Sequence, residues 1–123
     1  MSIHDLNPTD KKDTRSGFGD AILELGKEDE RVVALCADLT GSLKMNGFAN
    51  EFPDRFFQTG IAEANMMGMA AGMASEGVHV FVYSIANFPT FRCAEQIRND
   101  VDYHNFPVTI VAVGAGVSYG HLG

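Results

Sequence analysis

The chain has 123 residues, 46% of them apolar, and a net charge of −7 from 16 acidic and 9 basic side chains. That length suits one compact domain with a real core. The acidic balance argues against general nucleic-acid binding, which calls for a basic surface, and fits a soluble cytosolic protein. No apolar stretch approaches the ~20 residues of a membrane span, and the polar stretch from Met1 to Arg15 lacks the apolar core of a signal peptide. The two cysteines, Cys36 and Cys93, form no CxxC pair and have apolar or mixed flanks, the pattern of reduced, packed thiols.

Residues 1–12 read as a polar arm ahead of a single domain over 13–123. Asp13 or Thr14 is placed to cap a helix running to about Leu25, with Phe18, Ile22 and Leu25 at helical spacing and Gly26 as its stop. Within Arg31–Ala37 the run from Val32 is continuously apolar, as for a strand covered on both faces, and Asp38 ends it. A short helix over 43–51, closed by Pro53, precedes a second strand from Arg55 to Gly60. Ala62 to Ser75, rich in Ala, Met and Gly, predicts a long helix, and Val78 to Ser84 a third strand. Thr90 to about Tyr103 predicts an amphipathic helix with Ile97 and Val101 inward, and Pro107 to Gly114 a fourth, fully buried strand. Strands alternating with helices imply an α/β fold with a mostly parallel sheet flanked by helices. Ligands of such sheets bind beyond the carboxyl ends of the strands. That directs attention to Asp38–Ser42, Gly60–Glu63, Ser84–Phe91 and Gly114–Gly120. The chain stops about ten residues past an apolar strand, where a doubly wound sheet normally continues, so the domain is expected to lack its C-terminal part.

Glu63 is the most informative residue. It follows a strand end and opens an apolar helix. An acid there compensates the helix dipole on its own account. Yet the helix carries no other charge until Glu76, and apolar neighbours favour a carboxyl that shares a hydrogen bond with a ligand. Gly68 and Gly72, with Ala64 and Ala71, make a small-residue face, and Met66, Met67, Met69 and Met73 read as core or subunit interface.

The stretch ADLTGS (Ala37 to Ser42) resembles the ADLTxS stretch of transketolases. FPDRFFQTGIAEANMMGMAAGMA (Phe52 to Ala74) resembles the pyrimidine-binding domain of the same enzymes and of 1-deoxyxylulose-5-phosphate synthases, around the family's catalytic glutamate. The resemblance runs from about Arg15 to Gly123. It implies the pyrimidine-domain fold of thiamine-diphosphate enzymes. It also implies transfer of a two-carbon ketol unit between sugar phosphates. Thiamine diphosphate reacts through a carbanion formed when its thiazolium ring loses a proton to its own pyrimidine. A carboxyl bonded to the pyrimidine nitrogen promotes the imino tautomer that takes this proton, and the resemblance gives that role to Glu63.

The resemblance further implies that Phe88 and Phe91 wall the aminopyrimidine, where aromatic stacking suits the ring; ordinary core packing is the other reading of the pair. Asp38 and Leu39 are implied to face the cofactor. Arg15 and Ser42, at the family's separation around ADLT, are implied to grip a sugar phosphate, unless Arg15 is a solvated helix residue. Arg92 is implied to reach the substrate phosphate, as an arginine of this region does in deoxyxylulose-phosphate synthases. The Gly114, Gly116 and Gly120 spacing mimics a dinucleotide loop but is off by one, and it reads as the family's loop at the mouth of the site. There Gly114 replaces a histidine, a substrate-contacting aspartate maps to Leu122, and His121 beside it is a substitute contact. His4, His79 and His104 are scattered and read as structural, and no metal-ligand spacing appears.

The family holds Mg²⁺ and the cofactor's diphosphate on a separate domain through a GDG-type motif, which this sequence lacks. The resemblance therefore implies a partner diphosphate-binding domain or subunit that supplies Mg²⁺ and completes a shared thiamine-diphosphate site in a homo- or hetero-oligomer. Deoxyxylulose-phosphate synthesis and the beta subunit of a 2-oxo acid dehydrogenase are sibling readings. A nucleotide-binding module and a fragment that only dimerises are readings of other classes.

Overall fold

The computed structural model describes residues 12–118 and Gly120. The first helix, α1 (Thr14–Glu28), is capped by Asp13, whose carboxylate accepts from the Ser16 backbone N–H at 3.0 Å and from the Ser16 hydroxyl at 2.6 Å. It runs through Gly26 rather than stopping there. Gly26 is needed for a close helix crossing instead. A Cβ at Gly26 would lie 2.7 Å from ring carbons of Phe48 and Phe52, so its bareness lets α1 settle against the second helix, α2 (Asn46–Glu51). Leu25, counted among the inward positions, is more than a third exposed.

Strands β1 (Val32–Cys36), β2 (Phe56–Gln58), β3 (His79–Ile85) and β4 (Val108–Val113) form one parallel sheet in the order β2-β1-β3-β4. Ala34 pairs with Phe56, Val32 with His79, and Val80 with Val108. β2 is shorter than the sequence suggested, because Pro53–Arg55 forms a 3₁₀ turn. Arg55 leaves the strand to bond the carbonyls of Gly26 and Asp29 at 2.9 and 3.1 Å, with its guanidinium 3.8 Å over the Phe52 ring. Helix α3 (Glu63–Ser75) links β2 to β3. Between β3 and β4 the predicted helix exists but is not uniform. A 3₁₀ turn (Phe91–Cys93), a single α turn, α4 (Ala94–Gln96), and a π-helical turn (Ile97–Asp102) follow one another.

Every residue of β1 is buried, as its unbroken apolar run requires. On one face Val33, Leu35, Val80 and Val82 pack on Met66, Met67, Ala70 and Ala74 of α3, with Cys93 and Val101 alongside. On the other Val32, Ala34, Cys36 and Tyr83 pack on Ile22, Leu43, Met45 and Phe48. The fourth strand departs from full burial. Thr109 and Ala112 are exposed and its other residues only half-buried, because β4 lies at the edge of the sheet. Among the described residues no helix is long and apolar enough to cross a membrane.

The chain leaves β1 toward the α1–α2 face and leaves β3 toward the α3 face. The loops after these neighbouring strands therefore part, and a crevice opens at their carboxyl ends.

Candidate active site

Helix α3 runs antiparallel to the strands, so its first residue, Glu63, lies at that carboxyl end. Gly60, at φ 69°, supplies the turn that brings the chain round from β2, and the Ala62 N–H closes it on the Gly60 carbonyl at 2.8 Å. The Glu63 side chain is 5% exposed. The helix N-terminus favours its charge, and Arg92 Nη1 donates to its Oε1 at 3.2 Å. Arg92 is itself half-exposed and lays its guanidinium 4.3 Å over the Phe88 ring. Dipole compensation and a buried acid paired with a guanidinium thus hold together at one residue.

Phe88 is fixed by its own turn. Its N–H donates to the Ile85 carbonyl at 2.9 Å, the Thr90 hydroxyl to the Ala86 carbonyl at 2.9 Å, and the Cys93 thiol to the Phe88 carbonyl at 3.2 Å. Ala86 takes φ 32° within this turn, a conformation L residues other than Asn and Asp seldom adopt. The two phenylalanines part in their placement. Phe88 is half-buried under Arg92, whereas Phe91 is 81% exposed and stands on the wall of a cavity of about 310 Å³. Ala86, Asn87, Thr90, Ala112 and the Gly114–Gly116 loop complete that lining. Glu63 and Arg92 lie outside it. Burial pushes the Cys93 thiol above its usual range, and the Glu63 carboxylate adds to this. Burial pushes Cys36 up as well. Both are free, buried thiols, as their sequence surroundings implied.

The ADLTGS loop is held from the neighbouring strand. Asp38, at φ 58°, donates its N–H to Gln58 Oε1 at 2.6 Å, and Gln58 Nε2 donates to Thr40 Oγ1 at 2.5 Å. Gln58 is the residue that sequence reasoning passed over. Its signal was a carboxamide closing an aromatic strand two positions before Gly60. Leu39 turns half-buried toward the α1–α2 side of the sheet. Arg15 and Ser42 do meet, but through the backbone: Arg15 Nη1 donates to the Ser42 carbonyl at 3.3 Å. Arg15 also lines a second cavity of about 310 Å³ with Asp13, Thr14, Val113, Gly114 and Ser118.

The structure thus gathers two groups at the carboxyl ends. Arg92 links Glu63 and Phe88 on the α3 side; Arg15, Ser42 and Leu39 lie on the α1 side; Gly114 lines both cavities. Asp38 is exposed at the end of β1. His121 and Leu122, like His4, lie outside the described residues. His79 is half-buried, with Nδ1 3.9 Å from Asp29 at the start of β3. His104 stacks on Phe106 beside Tyr103, so both described histidines lie at the other end of the sheet. Among the described residues no cluster of three or more His, Cys, Asp or Glu is placed to hold a metal ion.

Residues 10–123 match the family of the transketolase pyrimidine-binding domain. A protein of Methanocaldococcus jannaschii, provisionally named a transketolase C-terminal section, is 49% identical over 112 residues, 91% of this chain and 35% of that protein. One of the subunits of the apulose-4-phosphate transketolase of Phocaeicola vulgatus is 41% identical over 109 residues, 89% of this chain and 35% of that protein. A solved split-gene transketolase, described as an inactive β4 tetramer, superposes with a TM-score of 0.73 at 45% identity, over 80% of this chain and 33% of its own. The chain spans about a third of the length of these relatives. The sequence, the parallel β2-β1-β3-β4 sheet and these likenesses agree: the chain belongs to the transketolase pyrimidine-binding domain family.

Proposed function

We propose that this chain forms the pyrimidine side of a thiamine-diphosphate site in a transketolase that moves a two-carbon ketol unit between sugar phosphates. The observation that carries the reading is Glu63: a carboxylate 5% exposed at a helix start, paired with a guanidinium that lies on an aromatic ring. These residues fit an aminopyrimidine. The ring needs one acid at its nitrogen and one π-face to lie on, and Glu63 and Phe88 supply them within one contact network. When bound, thiamine diphosphate supplies a carbanion able to attack a ketose carbonyl.

The chain's own part is to hold and orient. Glu63 keeps a shared proton at the pyrimidine nitrogen, in a site where scarce water strengthens that bond. Phe88 carries the ring and Phe91 narrows the entrance. Asp38 and Leu39, with the loop that Gln58 clamps, bound the cofactor from the β1 side. Arg15 and Ser42 receive the phosphate end of a sugar, with Arg92 and His121 as further substrate contacts. A diphosphate-binding domain or subunit supplies Mg²⁺ and the other half of the site; the split-gene organisation named for the solved relative supports this. In this reading residues 13–123 belong to the pyrimidine domain, and the enzyme works in the cytoplasm. A second reading, condensation of pyruvate with glyceraldehyde phosphate, draws on the place of Arg92 beside Glu63. Pyruvate consumption without ketol transfer would favour it.

The test is turnover of the assembled enzyme with Glu63→Ala. Loss of about 10²–10⁴-fold, the usual worth of a proton-handling side chain, is the expected result. Unchanged turnover would sink the assignment.

A further inference from the structure

We propose that Arg92 is a stand-in for the aminopyrimidine, filling its place on Glu63 and Phe88 until the cofactor displaces it. The inference rests on the reading of Glu63 and Phe88 given above.

A guanidinium is a flat, delocalised cation with N–H donors at its edge. Arg92 uses both properties at once. Its edge donates to Glu63 Oε1 and its face lies over the Phe88 ring. An aminopyrimidine bound here would ask for the same two things: an N–H or shared proton to the carboxyl and a π-face beneath the ring. The two therefore compete for one acid and one ring.

The geometry is that of a tenant that can leave. The Glu63–Arg92 contact is a single bond at 3.2 Å, longer than a well-formed charge-assisted bond and not the two-pronged pairing of a permanent Arg–carboxylate bridge. The acid is nearly enclosed, at 5% exposure, but the arginine is 52% exposed and enters from the solvent side. Released, its head group passes into water at little cost, whereas Glu63 cannot be left without a partner. Arg92 also sits in the 3₁₀ turn that opens the β3–β4 helical segment, a tighter start whose hydrogen bonds are poorer than those of an α-helix. The stand-in keeps a buried carboxylate paired when the site holds no cofactor.

Titration of this chain, assembled with its diphosphate-binding partner, with thiamine, which carries the aminopyrimidine without the phosphates, tests this. Arg92→Met keeps an unbranched side chain and removes the head group that lies over Phe88 and bonds Glu63. It should tighten thiamine binding about fivefold, the factor by which a competitor holding about four-fifths of the molecules weakens apparent affinity. A second measurement needs no variant. In the wild type, the ¹⁵N side-chain resonance of Arg92, shifted by the Phe88 ring, should move to the position of a solvated arginine in step with thiamine saturation. Thiamine binding that Arg92→Met leaves unchanged or weakens, or an Arg92 resonance that stays put at saturation, overturns the proposal and leaves the reading of the site intact. Absence of thiamine binding by both forms overturns the two together.

Discussion

Gln58→Ala removes the clamp on the ADLTGS loop, and its effect can be worked from the contacts. Gln58 Oε1 accepts the Asp38 N–H at 2.6 Å while Nε2 donates to Thr40 Oγ1 at 2.5 Å. Each such bond contributes about 0.5–1.5 kcal/mol net. Gln58 and Asp38 are exposed, so water takes over part of both bonds and the lower end of that range applies. Asp38 also holds φ 58°, a left-handed conformation that Asp adopts more readily than other residues with a Cβ, so the freed loop recovers little strain. The expected loss is about 1 kcal/mol in urea unfolding, with the slope unchanged. The larger effect is local. The Asp38 amide should lose protection from hydrogen exchange while the β1 amides keep theirs. A cycle with Thr40→Val should show coupling of about 0.5 kcal/mol or more. Additive single effects together with an Asp38 amide as protected as before would refute the clamp.

The two phenylalanines should separate by folding as well as by place. Phe88→Ala should cost about 1–2 kcal/mol, below the ~3–5 of a fully buried ring, whereas Phe91→Ala, at 81% exposure, should stay within about 0.5 kcal/mol; equal shifts in thermal unfolding would contradict the packing. Two glycines of α1 should respond with opposite sign. Gly17→Ala meets nothing within 4 Å and should stabilise by about 0.5–1 kcal/mol through helix propensity. Gly26→Ala presses on Phe48 and Phe52 at 2.7 Å and should destabilise by roughly 1 kcal/mol net; a gain at both positions would dismiss the close crossing. Asp29 governs part of the acid limb. Hydrogen bonds from Arg31 hold its carboxyl at about 2, below the ordinary 3.8. Its stabilising contribution is therefore present above the ordinary carboxylate range and fades as pH falls toward about 2. Asp29→Asn should flatten the decline of melting temperature across that window, and an unaltered decline would remove the pair from the account.

What the sequence made legible followed from burial and period. The unbroken apolar run of β1 announced a strand covered on both faces, and it is so covered. Glu63 at the head of an apolar helix was readable because a carboxylate with no charged neighbours in its own helix is unusual. Local cues failed where one residue type serves two ends. A glycine after an amphipathic run marks a helix stop and a close crossing equally well, and only the rings of Phe48 and Phe52, more than 20 residues on, decide for Gly26. The fourth strand reads as buried by composition, yet burial depends on neighbours that composition does not reveal, and β4 lies at the sheet edge. Phe88 and Phe91 are indistinguishable as letters; the turn closed by Thr90 and Cys93 sends one inward and the other out. Gln58 joins a loop 20 residues away, a pairing that no period encodes.

The central claim is a hydrogen bond between Glu63 and the pyrimidine nitrogen. The most direct measurement is the ¹⁵N resonance of that ring nitrogen in labelled thiamine diphosphate, bound to this chain together with its diphosphate-binding partner. The account predicts a resonance displaced from that of the free cofactor in the wild type and largely restored by Glu63→Ala, with the cofactor still bound. A resonance that is the same in both would contradict it.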